Sequence, residues 1–386
     1  MTEGADAARQ PLSGIRVLDF TTLLPGPMAT LLLAEAGAEV IKVERPGQGD
    51  ELRVYPPPRW GGGGDTGAFA LMNRGKRSVT LDLKDPMDRA RLMPLIEGAQ
   101  VLVEQFRPGA MARLGLDYDR VAAVNPALVY CSVTGWGQSG PMADRAGHDL
   151  NYIAETGLLD LGARADGVPV PPPGLIADIG GGALPAVINI LLALREAERT
   201  GRGRHLDIAM ADGVMTWQWW AQAAEQVTGR APAPGGGLLA GGSPRYRVYR
   251  TADDRLLAVA PLEQRFWDIF CETIALPEEL RDDSRDPEAT AAAVARIIAE
   301  TDAAEWERRF EGRDACVTVV RSVADARHHP HFIARGLFAA SVTDGDAEMP
   351  ALPVPIDPSF RRPPERRAYP RLGEANADLL PPAAND

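Results

Sequence analysis

The chain has 386 residues, too many for one simple core, so a larger and a smaller domain are expected. Its apolar content of 45% and charged content of 24% are those of an ordinary globular protein, and a formal net charge of −12 excludes a general phosphate-backbone binder, so no nucleic-acid partner is expected. Cys131, Cys271 and Cys316 are isolated and odd in number, which gives neither a disulfide framework nor a CxxC metal site and suits a reducing compartment.

Met1 to Gln10 is polar, without a basic region followed by an apolar one, so no signal peptide is expected. Ala183 to Leu194, the longest apolar stretch, contains Pro185 and Asn189 and is short for a bilayer. A cytoplasmic protein with no membrane partner is the expectation.

Ile15 to Phe20 reads as a buried strand, Thr21 to Pro27 as a Pro/Gly turn, Met28 to Ala36 as a helix and Glu39 to Glu44 as a second strand. Such a βαβ unit implies a parallel sheet. Its turn, Leu24-Pro25-Gly26-Pro27, is not GxGxxG, so a nicotinamide cofactor is not expected. Gly47 to Gly67 is a Gly/Pro loop. Val79 to Leu83, Val101 to Glu104 and Leu128 to Val133 read as further strands, with a helix over Asp88 to Gly98. Alternating strands and helices predict an open α/β domain with a parallel, doubly wound sheet.

Leu184 to Thr200 reads as a helix, His205 to Ala209 as a strand, and Val214 to Gln226 as one long helix carrying Trp217, Trp219 and Trp220. Thr228 to Ser243 looks like a linker. Beyond it come strands over Tyr246 to Thr251 and Leu256 to Val259, then helices near Gln264 to Ile274, Pro287 to Glu300 and Ala303 to Phe310. The expected division is a large α/β domain from residues 1–229 and 329–386, built from both chain ends, and a small α+β domain from 230–328. Pro350 to Pro370 is a proline-dense extended tail, long enough to wrap back on the first domain or on another subunit.

His148 and Asp178 each stand where a helix is expected to begin. Two titratable side chains so held suit a reaction that takes a proton from one face of a carbon and returns it to the other. Each residue also fits a blander role in capping or packing. His328-His329-Pro330-His331 lacks acidic or Cys partners and its proline breaks helical spacing, so no metal is expected. Gly180-Gly181-Gly182 is followed by no P-loop Lys-Ser/Thr, and close packing of a helix explains it better.

Several words in order resemble the family III CoA-transferase superfamily, and within it the α-methylacyl-CoA racemases. They are Pro11 to Asp19, Gly37 to Pro46, Asn73-Arg74-Gly75-Lys76-Arg77-Ser78, Glu104-Gln105-Phe106-Arg107-Pro108-Gly109, Thr134 to Pro141 and Gly147-His148-Asp149-Leu150-Asn151-Tyr152. The resemblance spans nearly the whole chain. It implies a Rossmann-like domain beside a smaller one, an interlocked homodimer, and an acyl-CoA substrate with no permanently bound cofactor.

Within the superfamily, the racemases carry the Gly-His-Asp word, whereas the transferases generally lack it and use an Asp at the position of Asp178 as nucleophile. The resemblance therefore implies epimerisation of 2-methylacyl-CoA thioesters, with His148 and Asp178 as acid and base and Glu263 orienting the histidine. Coenzyme A transfer between carboxylic acids through Asp178 is the alternative, and a CoA-ester binder without turnover is a third. One departure bears on Asp178: the racemases tend to carry Asn four residues before this Asp, where this chain has Gly174.

A thioester's α-proton leaves as an enolate, so the chemistry needs a base on one face, an acid on the other and a fixed dipole at the oxygen. Backbone N–H groups near Asp149 would receive that oxygen. Apolar neighbours such as Leu175 and Ile176 would keep Asp178 partly protonated. The resemblance places CoA contacts at Arg45, Leu81, Asp82, Leu83, Lys84, Gln105, Phe106, Arg107, Arg113, Gly147, Asp149, Leu150, Asn151 and Tyr152. Lys76 and Arg77 are added as nearby cations.

Overall fold

The structure is a computed structural model that describes residues 10–56, 58–162, 168–363 and 365–382. The polar N-terminal segment is thus, up to residue 9, outside the described residues. Contacts divide the chain into a first unit of Met1–Thr156, Pro172–Trp217 and Pro330–Asp386, and a second of Gly157–Pro171 and Gln218–His329.

In the first unit, β1 (Arg16–Phe20), β2 (Glu39–Glu44), β3 (Arg77–Thr80), β4 (Val101–Glu104), β5 (Val129–Thr134) and β6 (His205–Ala209) form one sheet. Their order is β3-β2-β1-β4-β5-β6 and every pairing is parallel. The inner strands are buried on both faces, which is why they read as largely apolar runs rather than alternating ones, broken by the buried Asp19, Glu104 and Ser132. Leu18, Ile41, Leu92, Ile96 and Leu102 pack as one core, each side chain contributing roughly 1.5–3 kcal/mol by leaving water.

The helix after β1 begins at Pro25, inside the expected turn, and all its residues through Glu35 are buried. Proline serves well at a first helical position, because the N–H it lacks would have had no partner in the helix. Helix Leu184–Thr200 lies against this helix and against β5 and β6. Joined to the π-helical turn Ile176–Ala183 it forms a run of 25 residues, within which an 18-residue stretch reaches a mean hydropathy of 1.7, longer than the apolar stretch seen in sequence. By length and composition it passes the test for a membrane span, as buried core helices also do.

The proline-dense tail folds back on the first unit. β10 (Ser341–Asp344) pairs antiparallel with β11 (Ala347–Pro350) and parallel with β12 (Arg366–Ala368). Phe69, Val342 and Tyr369 fill the space beneath them. Further along, Ala375 N–H donates to the Ser78 carbonyl and Thr80 N–H to Asn376 Oδ1.

The second unit contains the antiparallel sheet β7-β8-β9, from Arg247–Arg250, Leu256–Val259 and Val317–Val319. Helices Gln264–Thr273, Pro287–Ile298 and Ala303–Phe310 bury Trp267, Phe270 and Trp306 against it. Both indoles are satisfied: Trp267 Nε1 donates to Arg281 O and Trp306 Nε1 to Ile298 O. The long helix expected over Val214 to Gln226 is broken into Met210–Met215, a 3₁₀ turn at Thr216–Gln218 and Trp219–Thr228. The break falls where the chain passes from one unit to the other.

Candidate active site

Ligands of open parallel sheets sit beyond the carboxyl ends of the strands, at the point where strand order reverses. Here that point lies between β1 and β4, and two clefts open there. A cleft of about 430 Å³ is lined by residues following β1, β4 and β5, among them Leu24, Arg107, Trp136, His148 and Asp178. A second, of about 790 Å³, is lined by residues following β1, β2 and β3, among them Arg45, Asp50, Leu81, Asp82, Leu83 and Lys84. Phe106 lines both.

His148 is exposed and in extended backbone, immediately before helix Asp149–Glu155. Its N–H donates to Asn151 Oδ1 at 3.0 Å, so Asn151 caps the helix start. Asp149 is buried, and its Oδ1 accepts from the backbone N–H of Ala177 at 2.7 Å and of Asp178 at 3.0 Å. One carboxylate thus fastens the His148 segment to the Asp178 segment. Tyr152 donates its phenol proton to the Gly147 carbonyl at 2.6 Å and meets Trp136 edge-on, fixing the chain before His148 from the other side.

Asp178 does not cap a helix, as the sequence led one to expect. It lies within the π-helical turn Ile176–Ala183, and no side-chain bond caps that turn's start. The glycines explain the geometry. A Cβ on Gly181 would stand 2.3 Å from the Met210 carbonyl oxygen, and one on Gly180 would stand 2.3 Å from the Trp217 ring. Glycine lets the turn approach helix Met210–Met215 this closely. π-turns are rare, and they cluster at functional positions.

Burial pushes the Asp178 carboxyl up, the nearby Asp149 charge pushes it further, and His148 offsets part of this, leaving it at about 6. The expected cause was an apolar surround from Leu175 and Ile176, but Leu175 is 43% exposed. Burial remains the larger cause, with Ile176 half-buried, and the Asp149 carboxylate adds to it.

The remaining expected residues divide. Arg107, Gly147, Asn151 and Tyr152 line the His148 cleft, and Arg45 with Leu81 to Lys84 lines the second. Gln105 lines the first cleft as well, while its Oε1 accepts from Gly26 N–H at the start of the buried helix. Arg113 and Leu150 are exposed and line neither cleft. Glu263 stands before helix Gln264–Thr273 in the second unit.

Lys76 and Arg77 prove structural. Lys76 is buried and donates to Asp19, Thr30, Asn73 and Pro27, whereas Arg77 pairs with Glu39 and Asp378. Trp136 and Arg145 line the His148 cleft without having been singled out; a tryptophan inside a glycine-rich word was the available signal. Among the described residues, no three or more His, Cys, Asp or Glu side chains gather as a metal set.

Residues 12–376 match the model of CoA-transferase family III. The chain belongs to that family. It is 36% identical to human alpha-methylacyl-CoA racemase over 377 residues, covering 96% of this chain and 92% of the racemase. It is 34% identical to the acetyl-CoA:oxalate CoA-transferase of Acetobacter aceti over 389 residues, covering 98% of this chain and 97% of that enzyme. A CAIB/BAIF family protein from Brucella suis superposes with a TM-score of 0.82 at 27% identity, over 96% of this chain and 98% of that one. Family III membership makes the chain an enzyme of acyl-CoA chemistry, and its relatives include both a racemase and transferases.

Proposed function

We propose that the protein epimerises 2-methylacyl-CoA thioesters by moving the α-proton from one face to the other. The observation that carries this is His148 and Asp178 lining one cleft, with Asp178 held at about 6, so that carboxylate and acid are both populated near neutrality. Neutral His148 removes the α-proton, and the C–H electron pair moves onto the thioester oxygen as an enolate. Protonated Asp178 then returns a proton to the opposite face, and the thioester bond stays intact. In the reverse direction the two exchange roles.

The nucleotide of CoA fits the second cleft, where Arg45 and Lys84 are exposed cations on its wall. Phe106 and Arg107 mark where the pantetheine arm would pass toward His148. The enolate oxygen is assigned to backbone N–H groups near Asp149, and Glu263 keeps the supporting role that the resemblance gives it. CoA is part of the substrate, and no resident cofactor is assigned. A homodimer is supported by the exposed apolar face of helix Leu184–Thr200, where Ile188, Leu191 and Leu192 face outward. A cytoplasmic location is assigned on the isolated cysteines alone.

The test is deuterium entry at the α-carbon of a chiral 2-methylacyl-CoA in D₂O, without any acceptor acid. The transferase reading rests on the relatives of that class, and in it Asp178 attacks the thioester carbonyl and expels the CoA thiolate, leaving a mixed anhydride. Hydroxylamine would trap that anhydride on the Asp178 peptide. Exchange without trapping supports the epimerase; trapping with no exchange replaces it by the transferase.

A further inference from the structure

Glu104 ends β4, is 3% exposed, and takes no part in the chemistry above. Its Oε2 accepts from the backbone N–H of Phe106 at 2.7 Å. That bond closes the turn presenting Gln105, Phe106 and Arg107, all three of which line the His148 cleft, while Phe106 lines the second cleft as well. Beside it on β5, Ser132 hydrogen-bonds the Glu104 carboxylate and also meets His205 Nε2 on β6 at 2.9 Å. His205 is exposed, stacked on Tyr118 at 5.5 Å and edge-on to Tyr130 at 5.3 Å. A file of groups therefore leads from an exposed imidazole through a buried hydroxyl to a buried carboxylate under the cleft loop.

We infer that Glu104 is a positioning residue for CoA-ester binding, its protonation state setting how firmly the Gln105-Phe106-Arg107 turn is held, with Ser132 and His205 as its proton path to solvent. This rests on the CoA reading above. The ionised carboxylate gives Phe106 N–H a charge-assisted bond, about twice as strong as the neutral one left after protonation. His205 takes a solvent proton at Nδ1 and becomes imidazolium. Its Nε2 proton then passes to Ser132 Oγ as the Ser132 hydroxyl proton passes to Glu104, leaving neutral His205 and one net proton delivered.

The titratable and charged groups bearing on Glu104 are Asp207 and His205 from β6 and Tyr130 and Cys131 from β5. Burial raises Glu104, Asp207 adds to that, and the Ser132 and Phe106 hydrogen bonds oppose it, leaving the group at about 7. The switch therefore works across the neutral range, with tighter binding on the alkaline side.

The test is the dissociation constant of dephospho-CoA, which lacks the titrating 3′-phosphate, measured by calorimetry from pH 6 to 8. Wild type should bind tighter as pH rises. Glu104→Gln should bind about fivefold more weakly at pH 8 and lose that part of the pH slope, with the loss in Kd rather than in kcat at saturation. Ser132→Ala, which removes a donor to the carboxylate, should keep the slope but move its midpoint upward. A full wild-type slope in Glu104→Gln overturns the inference while leaving the CoA reading standing. An unmoved midpoint in Ser132→Ala would mean that Ser132 does not hydrogen-bond the carboxylate, and a hydroxyl without that bond cannot relay its proton. Absence of dephospho-CoA binding in wild type overturns both readings together.

Discussion

Beneath the second cleft, Asp19 lies 3.0 Å from Lys76, Asp50 lies 2.9 Å from Lys42, and Glu44 meets Arg53 at 2.7 Å. Burial alone would raise Asp19 and Glu44, but Lys42, Lys76 and the hydroxyls of Thr21 and Thr30 hold Asp19 well below the carboxylate range, and Arg53 lowers Glu44. Around the first cleft the same residue types behave oppositely. Beside burial, the Asp207 charge raises Glu104 and the Asp149 charge raises Asp178, outweighing the hydrogen bonds at the first and His148 at the second. Whether a buried carboxylate is fixed as an anion or poised to exchange a proton depends on whether the fold supplies a cation. At one end of the sheet edge the chain spends its lysines on rigidity, and at the other it withholds them.

The contrast breaks most sharply at Asp178. Asp178→Asn should lower α-proton exchange by about 10²–10⁴-fold, as expected for a lost acid/base, while thermal stability changes little. A melting temperature that fell as far as activity would place Asp178 with the fixed anions. At Asp19 the expectation reverses. Asp19→Asn leaves the buried Lys76 without its carboxylate partner and should cost roughly 3–5 kcal/mol in urea unfolding.

Next in size is pH dependence. Glu104 binds its proton more tightly folded than unfolded, so the stability it contributes is present below about 4.5 and is lost as pH rises to about 7. That loss is roughly 3 kcal/mol, and Glu104→Gln should abolish it. Asp19 and Glu44, whose values are depressed, act in the opposite sense and lose stability as pH falls through the acid range. Stability of wild type and variant from pH 4 to 8 separates the two groups. The smallest effect is at Thr30, whose hydroxyl donates to Asp19 and accepts from Lys76. Thr30→Val should cost about 1–2 kcal/mol and leave exchange activity intact.

Much of this was legible in the sequence. The parallel strands of the first unit were visible because burial on both faces makes apolar runs, and the helix over Ala303–Phe310 has the bounds expected of it. His148 and Asp178 were visible through the words around them. The π-turn was not, since three glycines state only that something comes close, not that Met210 does. The strands at Ser341–Asp344 and Arg366–Ala368 are short, proline-flanked and paired across a wide gap, so no local pattern announced them. Lys76 looked like a phosphate ligand for the same reason that Glu104 was passed over. Sequence gives a charge its sign but not its partner.

The hydrogen bond from Thr80 to Asn376 joins residues 296 positions apart, and β12 pairs with β10 late in the chain. On a ribosome, then, the β3 edge of the first unit must wait, its last partners not yet made, while the residues between 218 and 329 already hold all the strands of their own sheet. The inner unit is free to fold first and the outer one to close only once Arg366 to Asn376 have emerged. Until then the nascent chain carries an unfinished sheet edge, open to pairing with other chains.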